Sequence, residues 1–165
     1  SIINNFKEIF PFIKEIEIKD LSDLQPSAPL PTKVPIFCIK ENSSYWIPLK
    51  ELSSGMKKVL LLLTDTAILP EGGIYLIDEY ENSLGINAID FLPNYLLQNE
   101  NDNQFIITSH HPYIINKIPT SCWYVFDRSG NEVTIRYGES VVERYGKSKQ
   151  AAFIQLMNDF NKVTN

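Results

Sequence analysis

Two adjacent carboxylates, Asp78 and Glu79, close the apolar run Gly73-Ile74-Tyr75-Leu76-Ile77. Such a run reads as a central parallel strand buried on both faces, and open α/β sheets bind ligands at the C-terminal ends of their strands. Neighbouring carboxylates repel, so the pair implies a cation or a polarised water beside it, against the plainer reading of a solvated acidic loop. In nucleotide hydrolysis the first acid of such a pair holds the Mg²⁺ shell and the second orients the attacking water. A second apolar run, residues 104–108, ends in Thr108-Ser109-His110-His111-Pro112 and carries both histidines of the chain. One helix separates the two runs, the spacing of a βαβ crossover, which predicts that Asp78 and His110 share one sheet edge. A histidine there can contact a terminal phosphate and the attacking water. His110 directly follows the strand and is the preferred functional histidine, leaving His111 as a loop residue. Alternatively Asp78, Glu79, His110 and His111 form a metal site, although neighbours on one strand point to opposite sides. The third candidate is Leu52-Ser53-Ser54-Gly55-Met56-Lys57, ahead of a long apolar segment. A serine there is a common helix N-cap, and small residues also leave the first backbone N–H groups open to an anion.

The elements that must position these groups follow from hydrophobic period and punctuation. Residues 54–69 have the length of a helix and are apolar nearly all round beyond Lys58, which predicts burial. Residues 87–98 form a moderately amphipathic helix in which Pro93 marks a kink. Residues 114–117 belong to a short helix, residues 123–126 and 132–137 to a hairpin about Arg128-Ser129-Gly130-Asn131, and residues 147–161 to a final helix. Ahead of this core, residues 4–10 read as a short helix stopped by Pro11. The alternation in residues 15–19 (EIEIK) reads as a half-exposed strand, and residues 36–40 and 45–47 as two more. Residues 25–35 hold four prolines and are a loop or extended linker. The fold class is therefore α/β, a parallel-sheet core with a β-rich N-terminal segment and a C-terminal hairpin plus helix.

Composition narrows the class further. The 165 residues are 44% hydrophobic and 12% aromatic, which excludes wholesale disorder and predicts one domain. Its parts are a lead-in (1–50), a core (51–120) and the hairpin with its helix (121–165). No apolar run approaches the roughly 18 residues of a membrane span, and the first ten residues lack a signal-peptide pattern, so a cytoplasmic protein without membrane contact is expected. A net charge of −5 argues against a chain that mainly coats phosphate backbones. Cys38 and Cys122 lie in strand-like runs and read as two reduced core thiols.

Taken in order, Leu-Ser-Ser-Gly-Met-Lys-Lys, Ile-Tyr-Leu-Ile-Asp-Glu-Tyr-Glu-Asn and Ile-Ile-Thr-Ser-His-His-Pro-Tyr resemble the ABC-type ATPases among the P-loop NTPases. They are most similar to the soluble RecF/SMC-like branch, with the OLD-family and phage-defence AAA ATPases. The likeness spans most of residues 14–118. It implies that Ser53, Ser54 and Gly55 are the signature loop and that Asp78 is the Walker B acid on Mg²⁺. It also implies that Glu79 is the catalytic glutamate and His110 the switch histidine. Asn82-Ser83-Leu84-Gly85 falls where that family has its D-loop, with Ser83 as its nucleotide-facing residue, although a closing Asp is more usual there. Ser54, where transporters mostly carry Gly, argues against a transporter subunit.

The family's Walker A loop, G-x-x-x-x-G-K-[ST], is missing: no glycine precedes Gly55. Gly146-Lys147-Ser148 is a decoy, because position 141 is Val and the run follows the Asp-Glu pair. Tight binding of ATP and Mg²⁺ by this chain alone is therefore not expected. The resemblance implies the C-terminal lobe of a larger ATPase. It would meet a Walker-A-bearing N-terminal part or second subunit, act as a head-to-tail homodimer, and couple to nuclease or nucleic-acid partners. The alternative is a non-enzymatic docking module that completes a partner ATPase in trans. A metal-dependent hydrolase is a third reading.

Overall fold

The computed structural model describes residues 1–24, 33–98, 101–145 and 148–163. Most of the proline-rich stretch 25–35, and Gly146 and Lys147 of the decoy run, lie outside them. The chain opens with α1 (Ile2–Ile9), whose N-cap is Ser1. A small antiparallel sheet follows: β1 (Glu15–Asp20), the single turn α2 (Leu21–Leu24), β2 (Pro35–Lys40) and the two-residue β3 (Ile47–Pro48), in the order β1-β2-β3. The expected alternation of β1 holds only in part. Ile16, paired with Ile39, packs on the core, whereas Ile18 is 65% exposed although its partner Phe37 packs against that core.

The α/β unit is α3 (Ser54–Ile68), β4 (Ile74–Ile77), α4 (Ile86–Leu97), β5 (Gln104–Ile107) and α5 (Pro112–Lys117). β4 and β5 are parallel and in direct register, Ile77 opposite Ile107, as the crossover spacing predicts. Tyr75, Ile77, Phe105 and Ile107 turn to a core built with Phe6 and Ile9 of α1, Val59, Leu62 and Leu63 of α3, and Leu92 and Leu96 of α4. Each fully buried side chain of this kind contributes about 1.5–3 kcal/mol. α4 is continuous through Pro93, which is buried.

Two burial expectations fail, for one reason. Ile74, Leu76 and Ile106, on the opposite face of β4 and β5, are 60%, 69% and 48% exposed, so neither strand is covered on both sides. α3 likewise buries Met56, Val59, Leu62, Leu63 and Thr66 but leaves Leu61 and Ile68 exposed. Among the described residues only one helical layer packs on the sheet.

The remaining part is a hairpin, β6 (Tyr124–Ser129) and β7 (Glu132–Tyr137), followed by α6 (Gly138–Tyr145) and α7 (Lys149–Val163). Residues 130 and 131 join the strands, a tighter turn than expected. α6 was not legible in the sequence. It starts at Gly138, where an added Cβ would stand 2.5 Å from the Thr120 carbonyl oxygen and 2.6 Å from Trp123 Cβ, and Val141 packs with Ala152 and Leu156 of α7. Cys38 is buried as expected. Cys122 is exposed, in the turn Thr120–Cys122 that leads into β6, so it is not a core thiol. No helix among the described residues is long and apolar enough to cross a membrane.

Candidate functional site

Asp78 and Glu79 leave the end of β4 beside Thr108, which leaves the end of β5. Backbone bonds continue the ladder past both strands: Thr108 N–H donates to the Ile77 carbonyl at 2.9 Å and Tyr80 N–H to the Thr108 carbonyl at 3.0 Å. The Thr108 hydroxyl donates to Asp78 Oδ1 and accepts the Glu79 N–H at 2.8 Å, using both its functions to fix the acidic pair. Glu79 has φ of 44°, in the left-handed region that β-carbon sterics disfavour. The turn beyond it compensates. Asn82 N–H donates to the Glu79 carbonyl at 2.9 Å, and Asn82 Nδ2 lies 3.3 Å from Glu79 Oε2.

Lys58 of α3 fastens this turn from the side. Its Nζ donates to the carbonyls of Glu79 and Asn82, each at 3.0 Å. The start of α3 closes on the same turn. Ser53 is its N-cap, its hydroxyl accepting the Met56 N–H at 3.2 Å, so the commonplace capping role is filled. Ser53 and Ser54 are exposed. Gly55 abuts Ser83: a Cβ there would stand 2.3 Å from the Ser83 carbonyl oxygen, and Ser83 itself has φ of 64°. Small residues at 53–55 thus serve contact with the turn as well as the opening of the helix.

His110 reaches the same edge through Glu81, which the sequence reading left without a role. The His110 backbone N–H donates to Glu81 Oε1 at 2.9 Å, and His110 Nδ1 lies 2.9 Å from the same oxygen. Burial raises the Glu81 pKa, but the bonds from His110 N–H and the Ser109 hydroxyl outweigh it and hold the carboxyl below its ordinary value. Its position three residues after Asp78, in Asp-Glu-Tyr-Glu, was the available signal. Between the two acids Tyr80 is fully buried, and burial, then the Glu81 charge, pushes its phenol up. His111 turns away: it caps α5, its Nδ1 accepting the Tyr113 N–H at 3.3 Å. Asp90 of α4 holds α5 in place through Lys117 Nζ at 2.6 Å and the Tyr113 hydroxyl at 2.7 Å.

The structure therefore brings Asp78, Glu79 and His110 to one sheet edge, with Ser83 and Gly55 in contact beside them. It does not gather His111 with them, and among the described residues no group of three or more His, Cys, Asp or Glu side chains is disposed to hold a metal ion. The four-ligand metal reading is thereby overturned. A single exposed carboxylate anchored by a hydroxyl, as Asp78 is, still suits Mg²⁺, which takes one or two carboxylates and completes its shell with phosphates and water.

A parallel β4–β5 pair with α3, α4 and α5, carrying acids and a histidine at its C-terminal edge, is the fold of an ATPase lobe of the ABC/SMC type. Solved structures of SMC proteins share it. A chain solved in work on ATP-driven dimerization and DNA-stimulated activation of SMC ATPases matches with a TM-score of 0.61 at 12% identity, covering 98% of this chain and 91% of that one. The Smc head domain with a coiled coil and joint from Pyrococcus yayanosii gives 0.60 at 11%, over 99% of this chain and 28% of that one. The SmcHead bound to the C-winged helix domain of ScpA gives 0.58 at 15%, over 87% and 44%. The chain belongs to the family described as "AAA domain, putative AbiEii toxin, Type IV TA system", whose model matches residues 3–116. It is also 31% identical over 108 residues to the uncharacterized ABC transporter ATP-binding protein YkpA of Bacillus subtilis (strain 168), a match covering 66% of this chain and spanning only 18% of that relative's length. The chain is thus an ATPase-like domain, and its relatives point to nucleotide use.

Proposed function

We propose that this chain is the C-terminal lobe of an ATPase that hydrolyses ATP between two head-to-tail copies. The observation that carries the reading is the single edge where Asp78, Glu79 and His110 meet the turn packed on the start of α3. Asp78 would hold Mg²⁺, Glu79 would orient the attacking water, and His110 would contact that water and the terminal phosphate. Mg²⁺ held by Asp78 would supply positive charge to offset the charge that develops on the phosphates. The backbone N–H groups at Ser54 and Gly55, with the exposed hydroxyl of Ser54, would cap phosphates held by the opposite copy, and Ser83 would face the same nucleotide. A Walker-A-bearing N-terminal part or second subunit would supply the phosphate cradle. The bare face carrying Ile74, Leu76 and Ile106 supports this, since parallel sheets are buried on both sides.

By the resemblance of its motifs to the soluble RecF/SMC-like and phage-defence ATPases, the whole protein would work in the cytoplasm with nucleic-acid or nuclease partners, in phage defence. Labelled ATP–Mg²⁺ titrated into the chain alone should show no micromolar binding; such binding would refute the lobe reading. In the full ATPase, Glu79→Gln should preserve ATP binding and trap a closed dimer, and unchanged turnover would remove Glu79 from its role.

A further inference from the structure

Glu81 joins the two strand ends at the point where the histidine leaves β5. Its side chain is 9% exposed, while the imidazole it meets is 78% exposed. Oε1 accepts the His110 backbone N–H and lies 2.9 Å from Nδ1, whereas Oε2 is buried with no hydrogen-bond partner among the described residues. An ionised carboxylate only accepts, so Nδ1 must carry a proton, and in the neutral ring Nε2 is then the acceptor. The neighbouring histidine is wired oppositely. His111 Nδ1 accepts the Tyr113 N–H, so its neutral ring carries the proton on Nε2.

We infer that Glu81 is a positioning residue for His110, gripping its backbone N–H and its Nδ1–H with one oxygen so that Nε2 is presented outward from the strand end. The functional half of this inference rests on the proposed role of His110 at the phosphate and the water. With Nδ1 held, the neutral ring accepts a hydrogen bond from water at Nε2. A protonated ring donates from Nε2 to a phosphate oxygen instead. A buried carboxylate also ties this choice to the turn carrying Glu79, because Glu81 lies within it.

The test reads tautomers directly. Long-range ¹H–¹⁵N correlation spectra are recorded on the histidine-labelled chain near pH 8, about where an ordinary imidazole is neutral. His111→Asn, which retains a capping side chain, assigns the two rings. The expected result is His110 protonated at Nδ1 and His111 at Nε2. Glu81→Gln keeps the one oxygen that both His110 N–H groups meet and should retain the Nδ1–H form, whereas Glu81→Leu removes that oxygen at similar size, with the His111 signals as the check that the fold is retained. Glu81→Leu should move His110 towards the Nε2–H form. An Nε2–H form of His110 in the unaltered chain, or a His110 tautomer indifferent to Glu81→Leu, overturns the inference. In the full ATPase, Glu81→Leu should lower kcat about tenfold or more with little change in KM, and Glu81→Gln should fall less. Unchanged kcat, where His110→Ala is strongly impaired, also overturns the positioning role. Full turnover in His110→Ala instead refutes the proposed role of His110 and leaves the tautomer assignment to the spectra.

Discussion

Gly55→Ala is the sharpest probe of how α3 and the acidic turn are joined. The new methyl carbon would stand 2.3 Å from the Ser83 carbonyl oxygen and 3.5 Å from its carbonyl carbon, both backbone atoms. A tolerable approach is about 3.0 Å or more, so the carbonyl must retreat by about 0.7 Å. The turn resists that retreat. Lys58 holds the Asn82 and Glu79 carbonyls, Leu84 N–H donates to the Glu81 carbonyl at 3.0 Å, and Ser83 already has positive φ. Overpacking of this kind costs about 1–3 kcal/mol, while the helix propensity gained by replacing Gly returns up to about 1 kcal/mol. A net loss of about 1–2 kcal/mol moves the urea midpoint down by about 0.5–1 M for an m-value near 2 kcal/mol/M. Gly85→Ala is the matched control: φ is −75° and nothing lies within 4 Å of the added Cβ. There the weaker N-cap and the stiffer unfolded chain offset each other, to within about 0.5 kcal/mol. Equal midpoints for the two variants, or a rise for Gly55→Ala, would refute the packing argument.

Lys58→Met should free two carbonyls of the acidic turn and cost about 1–3 kcal/mol, with faster hydrogen exchange at Asn82 and Leu84 but unchanged exchange in α4. Ser53→Ala should cost about 1 kcal/mol through the lost bond to Met56 N–H, and Ser53→Asp should restore it. If Ser53 also faces phosphate across a dimer, Ser53→Asp should recover stability in thermal melts while turnover of the full ATPase stays low. Tyr75, partly buried and bonded to Asp65 at 2.5 Å, has its phenol pushed up to about 12 by burial and then by that acid. Its folded pKa exceeds the unfolded value near 10, so its contribution is whole below pH 10 and is lost as pH rises towards 12. Tyr75→Phe should flatten that decline in alkaline urea titrations, though not abolish it, since Tyr80 shifts in the same direction.

The order of elements in the core was legible because each rests on short-range signals. Ser53 before an apolar segment, the apolar run through Ile74-Tyr75-Leu76-Ile77, and the short helix over residues 114–117 are local signals, and the structure has an element at each. The stretch beyond Tyr137 was less legible, since Gly138 reads as a turn and its helical use depends on Thr120 and Trp123 lying against it. Cys122 shows the converse: an apolar neighbourhood in sequence did not make a buried residue in space.

By itself the sequence determined which chemical groups stand at the ends of which elements, and the crossover spacing between Asp78 and His110. These follow from residue type and local backbone preference. Only the tertiary structure decided that Lys58 fastens the turn 21 and 24 residues away, that Glu81 holds His110 across 29 residues, and that Gly55 rests on Ser83. It also decided that one face of β4 and β5 is bare. Each is a matter of how two distant segments pack, where a contact of a few ångströms depends on every layer between them and leaves no period or spacing in the chain.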